Sequence, residues 1–373
     1  MTSGYTIMNY NELETKLWND FVDSSDDCWL FHRSELIDLN EQLGNENLSF
    51  SIFNNGKIIF ICPIFLHKKR RYLGLLKINS FKSDMGMGAA GIAFAPNLSQ
   101  KVKLKIWEIA LEYLVTMAKN YSVVCFDVLH ATLSNNVLNP NTGYNNPYTT
   151  FGFCNRRAYG FDTTLSWPTI NLIVDLSKST EQLYSNISKT GKHSIKKAVN
   201  NEIKLSVNPE NYKESFQHIH YETYERTGAS KAITNFYDYI STVLHKKGFC
   251  DFLFADHPDQ ERVAGVVVMK YKNNVNYFSG GSLIEYLDMG TNYFLQWEII
   301  KRYHSKNYKY YELGRYFPHL PKTSKQYGIG TFKRKMGPIE TEIWQGSLLF
   351  NPKKYMFMFG LLGLINSFSF ENK

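Results

Sequence analysis

No run of eighteen apolar residues occurs in the 373-residue chain, so no segment reads as a membrane-spanning helix. The opening residues, Met1-Thr2-Ser3-Gly4-Tyr5, carry neither a basic n-region nor an apolar h-region, and the expectation is a cytoplasmic protein. Cysteine is scarce. Cys28, Cys62, Cys125, Cys154 and Cys250 are widely spaced, with no CxxC pair and no histidine at metal-ligand spacing, so they read as buried thiols and no metal site is expected. A Ser-His-Asp arrangement, a Walker loop and an HExxH motif are also lacking, which removes the support for hydrolase, NTPase and zinc-enzyme readings. No low-complexity linker divides the chain.

What the chain does contain is apolar and cationic. With 43% apolar and 15% aromatic residues it can bury a sizeable core, and its length exceeds one usual compact domain. Lys and Arg outnumber Asp and Glu by 42 to 34, a net charge of +8 that suits an anionic partner. The excess is uneven: Lys301 to Lys335 holds ten Lys or Arg residues and a single acid, Glu312, whereas Asp20 to Asp27 is acidic. The apolar run Tyr355 to Ile365 is too short to span a bilayer. It reads as a helix packed on a domain, with interface docking as the alternative suggested by Lys353 and Lys354.

The first half begins with a helical pattern over Glu12 to Phe21 and a strand-like Trp29-Leu30-Phe31-His32. Phe50 to Phe53 and Lys57 to Leu66 flank Asn54-Asn55-Gly56, a hairpin signal. A Gly-rich segment from Met85 to Gly91 follows, then a helix from Ser99 to about Lys119 and a buried strand Val123 to Val128. The second half repeats the order. Phe252 to Ala255 and Val263 to Tyr271 form a hairpin, Asn276 to Leu283 a strand with a Gly pair, and a helix and the strand Tyr308 to Leu313 come next. Between the halves, Thr180 to Asn200 reads as two short helices broken at Thr190-Gly191, and a longer helix, Glu210 to Arg226, ends at Gly228 as a C-cap. Two domains of similar mixed α/β fold are expected, one over residues 1–165 and one over 166–373.

Gly290 to Gly337 carries the chemistry. A short turn before a helix offers free amides to an anion, and a cationic element returning from Gly328 to Gly337 can neutralise what those amides hold. Met289, Gly290, Thr291 and Asn292 are therefore expected at a diphosphate, with Lys333 and Arg334 as phosphate contacts and Arg315 in support; an ordinary capped helix and a solvated basic face are the alternatives. Lys192, Lys196 and Arg156 are expected to meet a second, acceptor diphosphate. Ser279, Gly280 and Gly281 lie on a strand whose amides can polarise a carbonyl, and a plain β-bulge is the alternative. Among titratable groups, His319 is the expected base by its place after the Tyr310–Gly314 strand, with His193 and Asp84 as rivals.

The order strand, helix pair, hairpin, strand, glycine turn, helix, strand resembles a GNAT-type acyltransferase domain, and two in tandem resemble the FemAB family. Four blocks carry the likeness: Ile187 to Ala198, Asn292 to Ile300, Tyr311-Glu312-Leu313-Gly314, and Phe332-Lys333-Arg334-Lys335-Met336-Gly337. The N-terminal half matches only in layout and is expected to be a scaffold on the acceptor side. The resemblance implies two tandem GNAT-like domains and transfer of an acyl group from an activated carrier to a primary amine. Some members take amino acids from aminoacyl-tRNA to a peptidoglycan precursor, while relatives use acyl thioesters and acylate nucleotide-linked amino sugars.

Here the chain departs from the family pattern in three places. Glu312 stands where the family has aspartate, the diphosphate loop is reduced to Leu287-Asp288-Met289-Gly290-Thr291-Asn292, and no long antiparallel helical arm is present. The missing arm favours an acyl-CoA co-substrate, with no tightly bound cofactor, and a nucleotide-linked (dTDP or UDP) amino sugar as acceptor for surface-polysaccharide assembly. Aminoacyl-tRNA is the alternative donor, no DNA partner is expected, and a non-catalytic anion-binding module is the reading from another class.

Overall fold

The structure is a computed structural model that describes residues 4–71, 76–84, 88–139, 146–154, 170–228, 234–355 and 357. It divides into two compact units, Met1–Pro168 with Ile343–Lys373, and Thr169–Glu342.

The first unit opens with β1 (Tyr5–Asn9), α1 (Thr15–Ser24) and α2 (Ser34–Gln42), followed by β2 (Glu46–Asn47) and β3 (Phe50–Asn54). β4 (Lys57–Cys62) returns from β3 through Asn55 and Gly56, both at positive φ as a tight hairpin of this type requires. β5 (Phe65–Arg71), β6 (Leu76–Lys82) and β7 (Ala93–Phe94) precede α3 (Gln100–Asn120), where the Ser99 hydroxyl accepts the Val102 amide at the N-cap. β8 (Val123–Leu129), buried at every residue, and the short α4 (Asn135–Leu138) complete this part. Trp29–His32 is not a strand: Leu30–His32 forms a 3-10 turn, its Trp and His buried beside α1 and α2.

The second unit contains β9 (Ile170–Asp175), α5 (Thr180–Asn186), α6 (Lys189–Asn200), β10 (Lys204–Val207), α7 (Tyr212–Thr227) and α8 (Thr234–Tyr239). The helix pair breaks at Ile187-Ser188 rather than at Gly191. Ser188 caps α6 by accepting the Gly191 amide, and Gly191 is a buried helical residue against the Lys335 carbonyl. α7 ends at Gly228 in the left-handed conformation, as its sequence indicates. β11 (Cys250–His257), β12 (Gln260–Tyr271), β13 (Asn274–Ser282), α9 (Thr291–Ser305), β14 (Tyr310–Tyr316), α10 (Lys325–Arg334) and β15 (Ile339–Glu342) follow. Their sheet runs β10-β11-β12-β13-β14-β9-β15.

The chain then leaves this unit. β16 (Gln345–Leu349) pairs antiparallel with β8, giving the first unit a five-stranded sheet β16-β8-β6-β5-β2 beside a four-stranded β1-β3-β4-β7. A boundary at residue 165 with everything after it in one domain is therefore corrected: residues 343–373 group with the first unit, because β16 finds its ladder and Trp344 its aromatic neighbours there. Four cysteines are buried as expected, but Cys154 is exposed.

Candidate active site

β13 and β14 are joined in parallel for only three residues, Asn274↔Tyr310, Val275↔Tyr311 and Asn276↔Glu312. Past that point β13 stays paired with β12 and β14 with β9, so the two strands part and the sheet opens between them. Each strand has a register shift near the opening, at Phe278 on β13 and at Leu313 on β14. An extra residue bends its strand and strengthens its twist, which is the local cause of the separation.

Glu312 stands at the mouth of this opening and is 8% exposed. The amides of Asn171 on β9 and Asn276 on β13 hydrogen-bond its carboxylate. Burial raises the Glu312 carboxyl to about 7, against the opposing pull of Asn276, Arg315 and Lys333. Lys333 comes from α10, which packs on β14. Its ammonium lies 5.3 Å from the centre of the Tyr277 ring, and burial lowers it to about 8 although Glu312 opposes the shift. The residue as a whole is half-buried. Gly314 makes room for it. At φ +93° this position disfavours an L side chain, and a Cβ there would stand 3.0 Å from the Lys333 nitrogen. A carboxylic acid and an ammonium, both titrating near neutrality, thus share one opening in the sheet.

A second group of side chains lines β13. Ser279 Oγ is 2.8 Å from Nε2 of His220 on α7, and His220 Nδ1 is 2.7 Å from the Tyr237 hydroxyl. Tyr224, one turn after His220, also hydrogen-bonds Ser279. Burial depresses His220 to about 4, so the imidazole is neutral and is a hydrogen-bond link rather than a base at physiological pH. α7 reaches β13 closely because of Gly281: a Cβ there would meet Thr223 Oγ1 at 2.6 Å and the Ile219 carbonyl at 3.1 Å. At Gly280 a Cβ would meet the Tyr277 hydroxyl at 2.3 Å. The Gly pair is thereby explained by helix approach and by the seat of Tyr277.

Residues 210–328, from α7 into α10, match the family described as Acetyltransferase (GNAT) domain. The second unit is thus similar to a GNAT acetyltransferase domain over these residues. Among solved structures, FemX superposes with a TM-score of 0.68 at 13% identity, over 94% of this chain and 99% of that one. The C-terminal domain (DUF2156) of a proposed lysylphosphatidylglycerol synthetase from Agrobacterium fabrum gives 0.55 at 12%, over 92% and 94%. A tandem GNAT protein from the clavulanic acid biosynthesis pathway gives 0.51 at 9%, over 94% and 99%. At these identities the likeness is one of fold, and that fold is the tandem GNAT arrangement of the FemAB type. No curated protein matches the chain by sequence.

In the second unit, Lys333 and Arg315 are the cations whose charge acts on Glu312, while the other residues expected from sequence fall elsewhere. Arg334 is exposed, bound to Glu340 at 2.7 Å and stacked over Tyr316, so it is occupied as a structural cation. Lys192 donates to the Ser185 carbonyl at 2.8 Å and lies over Tyr184, where it caps α5. His193 and Lys196 are exposed on α6. His319 is half-buried in the loop after β14 beside Phe317, and burial lowers its pKa. Asp84 belongs to the first unit, bridged to Ala89, and Arg156 lies outside the described residues.

The turn before α9 is more closed than its sequence suggests. Gly290, at φ +79°, would carry a Cβ only 2.1 Å from the Ser194 carbonyl oxygen of α6. Thr291 is fully buried and donates to the Tyr286 carbonyl, Asn292 donates to Ser282, and Met289 ends a half-buried 3-10 turn. Gly290 is thus required where α6 and α9 meet. Gly290→Ala is expected to lower the stability of this unit by about 2–4 kcal/mol, from strain at positive φ together with the displaced helix contact. A denaturant titration with a local fluorescence probe in α9 checks it; an unchanged midpoint would leave Gly290 without this role.

His220, Tyr237, Tyr224 and Tyr277 were not singled out by sequence, and Glu312 was noted there without a catalytic role. For Glu312 a signal existed, since it is the lone acid among ten cations between Lys301 and Lys335. For His220 the partner Ser279 lies 59 residues away, and no local spacing reveals the pair.

Proposed function

We propose that the GNAT domain acylates a primary amine in the opening between β13 and β14, with Glu312 taking the amine proton and Lys333 facing the oxyanion. The observation that carries this is the Glu312–Lys333 pair, whose carboxyl and ammonium titrate at about 7 and about 8. A sugar or amino-acid ammonium must shed a proton before it attacks, and a base with a pKa near the working pH does this best. The neutral amine then adds to the acyl carbonyl, charge gathers on the carbonyl oxygen, and a buried ammonium stabilises it far more than a solvated one. Collapse expels the carrier thiol and forms the amide. Ser279, held by His220 and Tyr224, lies on the strand along which the acyl group is proposed to run.

The donor taken forward is a CoA-type thioester, in keeping with the GNAT domain, and the acceptor is the amine of a dTDP- or UDP-linked amino sugar. Arg315 beside the opening and the exposed Lys196 are the proposed contacts to its diphosphate. Thiol release from acyl-CoA, measured against a panel of nucleotide amino sugars, tests this: turnover with at least one pair is expected. Absence of release with every pair, from a folded protein, would remove the thioester reading.

Aminoacyl-tRNA is the second reading. It is favoured by the turn at Gly290, whose backbone is seated on α6 and departs from an open diphosphate loop, and by the lysyl transfer that the name of one fold neighbour implies. Activity that is lost on RNase treatment would select it.

A further inference from the structure

The first unit holds a cavity of about 50 Å³, built entirely from its own residues. The rings of Phe94, Phe151 and Trp344 give it apolar walls, and Asp27, His130 and Lys103 give it polar ones. Gln100 is exposed and Lys103 half-buried, so the cavity opens at the first turn of α3. At roughly 10–15 Å³ for each water-sized occupant, it takes about four or five atoms beyond those that stay at the mouth.

The buried His130, 3% exposed, has its tautomer fixed by its neighbours. The Ile92 amide donates to the Tyr148 hydroxyl oxygen at 3.2 Å, which leaves the Tyr148 hydrogen for Nδ1 of His130, 2.8 Å away. The ring proton therefore sits on Nε2. No acceptor lies within hydrogen-bond distance of that atom. Burial lowers the imidazole to about 4 against the charge and backbone carbonyl of Asp27, with Lys103 lowering it further, so the ring is neutral. Gly91 preserves this arrangement: at φ +83°, a Cβ there would stand 2.5 Å from Nδ1 and 2.6 Å from the Tyr148 hydroxyl. A buried N–H donor without an acceptor is costly, and in a cavity wall it can be satisfied by an acceptor from outside.

Two unlike charges act on this donor from the same cavity. Asp27 is 8% exposed, and its carboxylate accepts from the Phe94 amide at 3.0 Å and from Asn136, but it has no cationic partner among the described residues. Lys103 lies 5.4 Å from the centre of the Phe94 ring and has no anionic partner among them. Charges taken from water without a counter-charge are destabilising, so a ligand that brings both missing charges relieves both ends. A carboxylate alone would be repelled by Asp27, and an amine alone by Lys103. We propose that this cavity binds a small free α-amino acid, its carboxylate on His130 Nε2 and Lys103, its ammonium toward Asp27, and a short side chain against the aromatic walls.

Isothermal titration calorimetry of the full chain with glycine, L-alanine, L-phenylalanine, propionate and propylamine tests the proposal. L-alanine and glycine are expected to give saturable heats, and L-phenylalanine, too large for the cavity, none. Propionate and propylamine each keep one charge and should bind more weakly than L-alanine by roughly tenfold or more. Lys103→Met should weaken L-alanine binding by roughly ten- to a hundredfold and His130→Phe by roughly tenfold. Lys101→Met, on α3 but outside the cavity, should leave it unchanged. Thermal unfolding checks that each variant folds, and Lys103→Met, at the mouth, carries the test if His130→Phe does not fold. Absence of a saturable heat with both glycine and L-alanine would overturn the proposal. So would binding of L-phenylalanine, propionate or propylamine as tight as that of L-alanine, or full L-alanine affinity in Lys103→Met.

Discussion

Glu312→Gln is expected to lower kcat by roughly two to three orders of magnitude, the usual worth of a positioned general base, with KM for the acyl donor nearly unchanged. The substitution keeps the shape of the side chain and its place between Asn171 and Asn276, which hydrogen-bond the carboxylate. What it removes is the ability to accept a proton. Burial holds the Glu312 carboxyl at about 7, so the ionised form that acts as base accumulates as pH rises through that value. The acidic limb of the kcat/KM profile should therefore report Glu312, and it should vanish in the Gln variant. Initial-rate measurements across pH with saturating donor check this. A Gln variant with full kcat would show that the amine loses its proton to water or to another group.

Lys333→Met is expected to lower kcat by roughly two orders of magnitude and to remove the alkaline limb. Methionine fills the channel between Tyr277 and Gly314 that the Lys333 stem now occupies, so the loss is one of charge more than of packing. The sign is opposite to that of Glu312. The ammonium is the active form, its pKa is lowered to about 8 by burial, and activity should decline as pH passes upward through that value. The two groups interact, so the limbs belong to the pair and each single substitution should shift the one that remains. From sequence alone Lys333 reads as a phosphate contact, which would raise KM and leave kcat intact. Its burial beside Glu312 moves the expected effect to kcat, and steady-state kinetics separates the two outcomes.

The order of elements was legible because its signals are local. Asn54-Asn55-Gly56 makes a hairpin through two positive-φ residues, Ser99 caps α3, and Gly228 ends α7. What escaped depends on distant contacts. Gln345–Leu349 carries no mark of returning to β8, some two hundred residues upstream, and only the completed ladder assigns it to the first unit. Thr190-Gly191 looks like a helix break, yet Gly191 is where α6 tolerates close contact with the Lys335 carbonyl, so packing overrides its low helix propensity. Gly280 and Gly281 were legible as a place of close approach, but what approaches is Tyr277 and α7.

The site divides in the same way. Cationic character around Lys333 is written in the composition from Lys301 to Lys335, whereas the role of Glu312 comes from burial between three strands, which no residue spacing encodes. Arg334 differs from Lys333 only in facing Glu340 and Tyr316 instead of the opening, a consequence of adjacent positions on α10 pointing about 100° apart. His319, His193 and Asp84 were reasonable titratable candidates by order in the chain. None of the described contacts brings them to Glu312.

The pH dependence of kcat/KM for amine acylation, compared between the unsubstituted protein and Glu312→Gln, bears most directly on the Glu312–Lys333 pair as the acylating centre. A narrow bell rising near 7 and falling near 8 is predicted for the former, and a profile without its acidic limb for the latter. The same acidic limb in both proteins would contradict it.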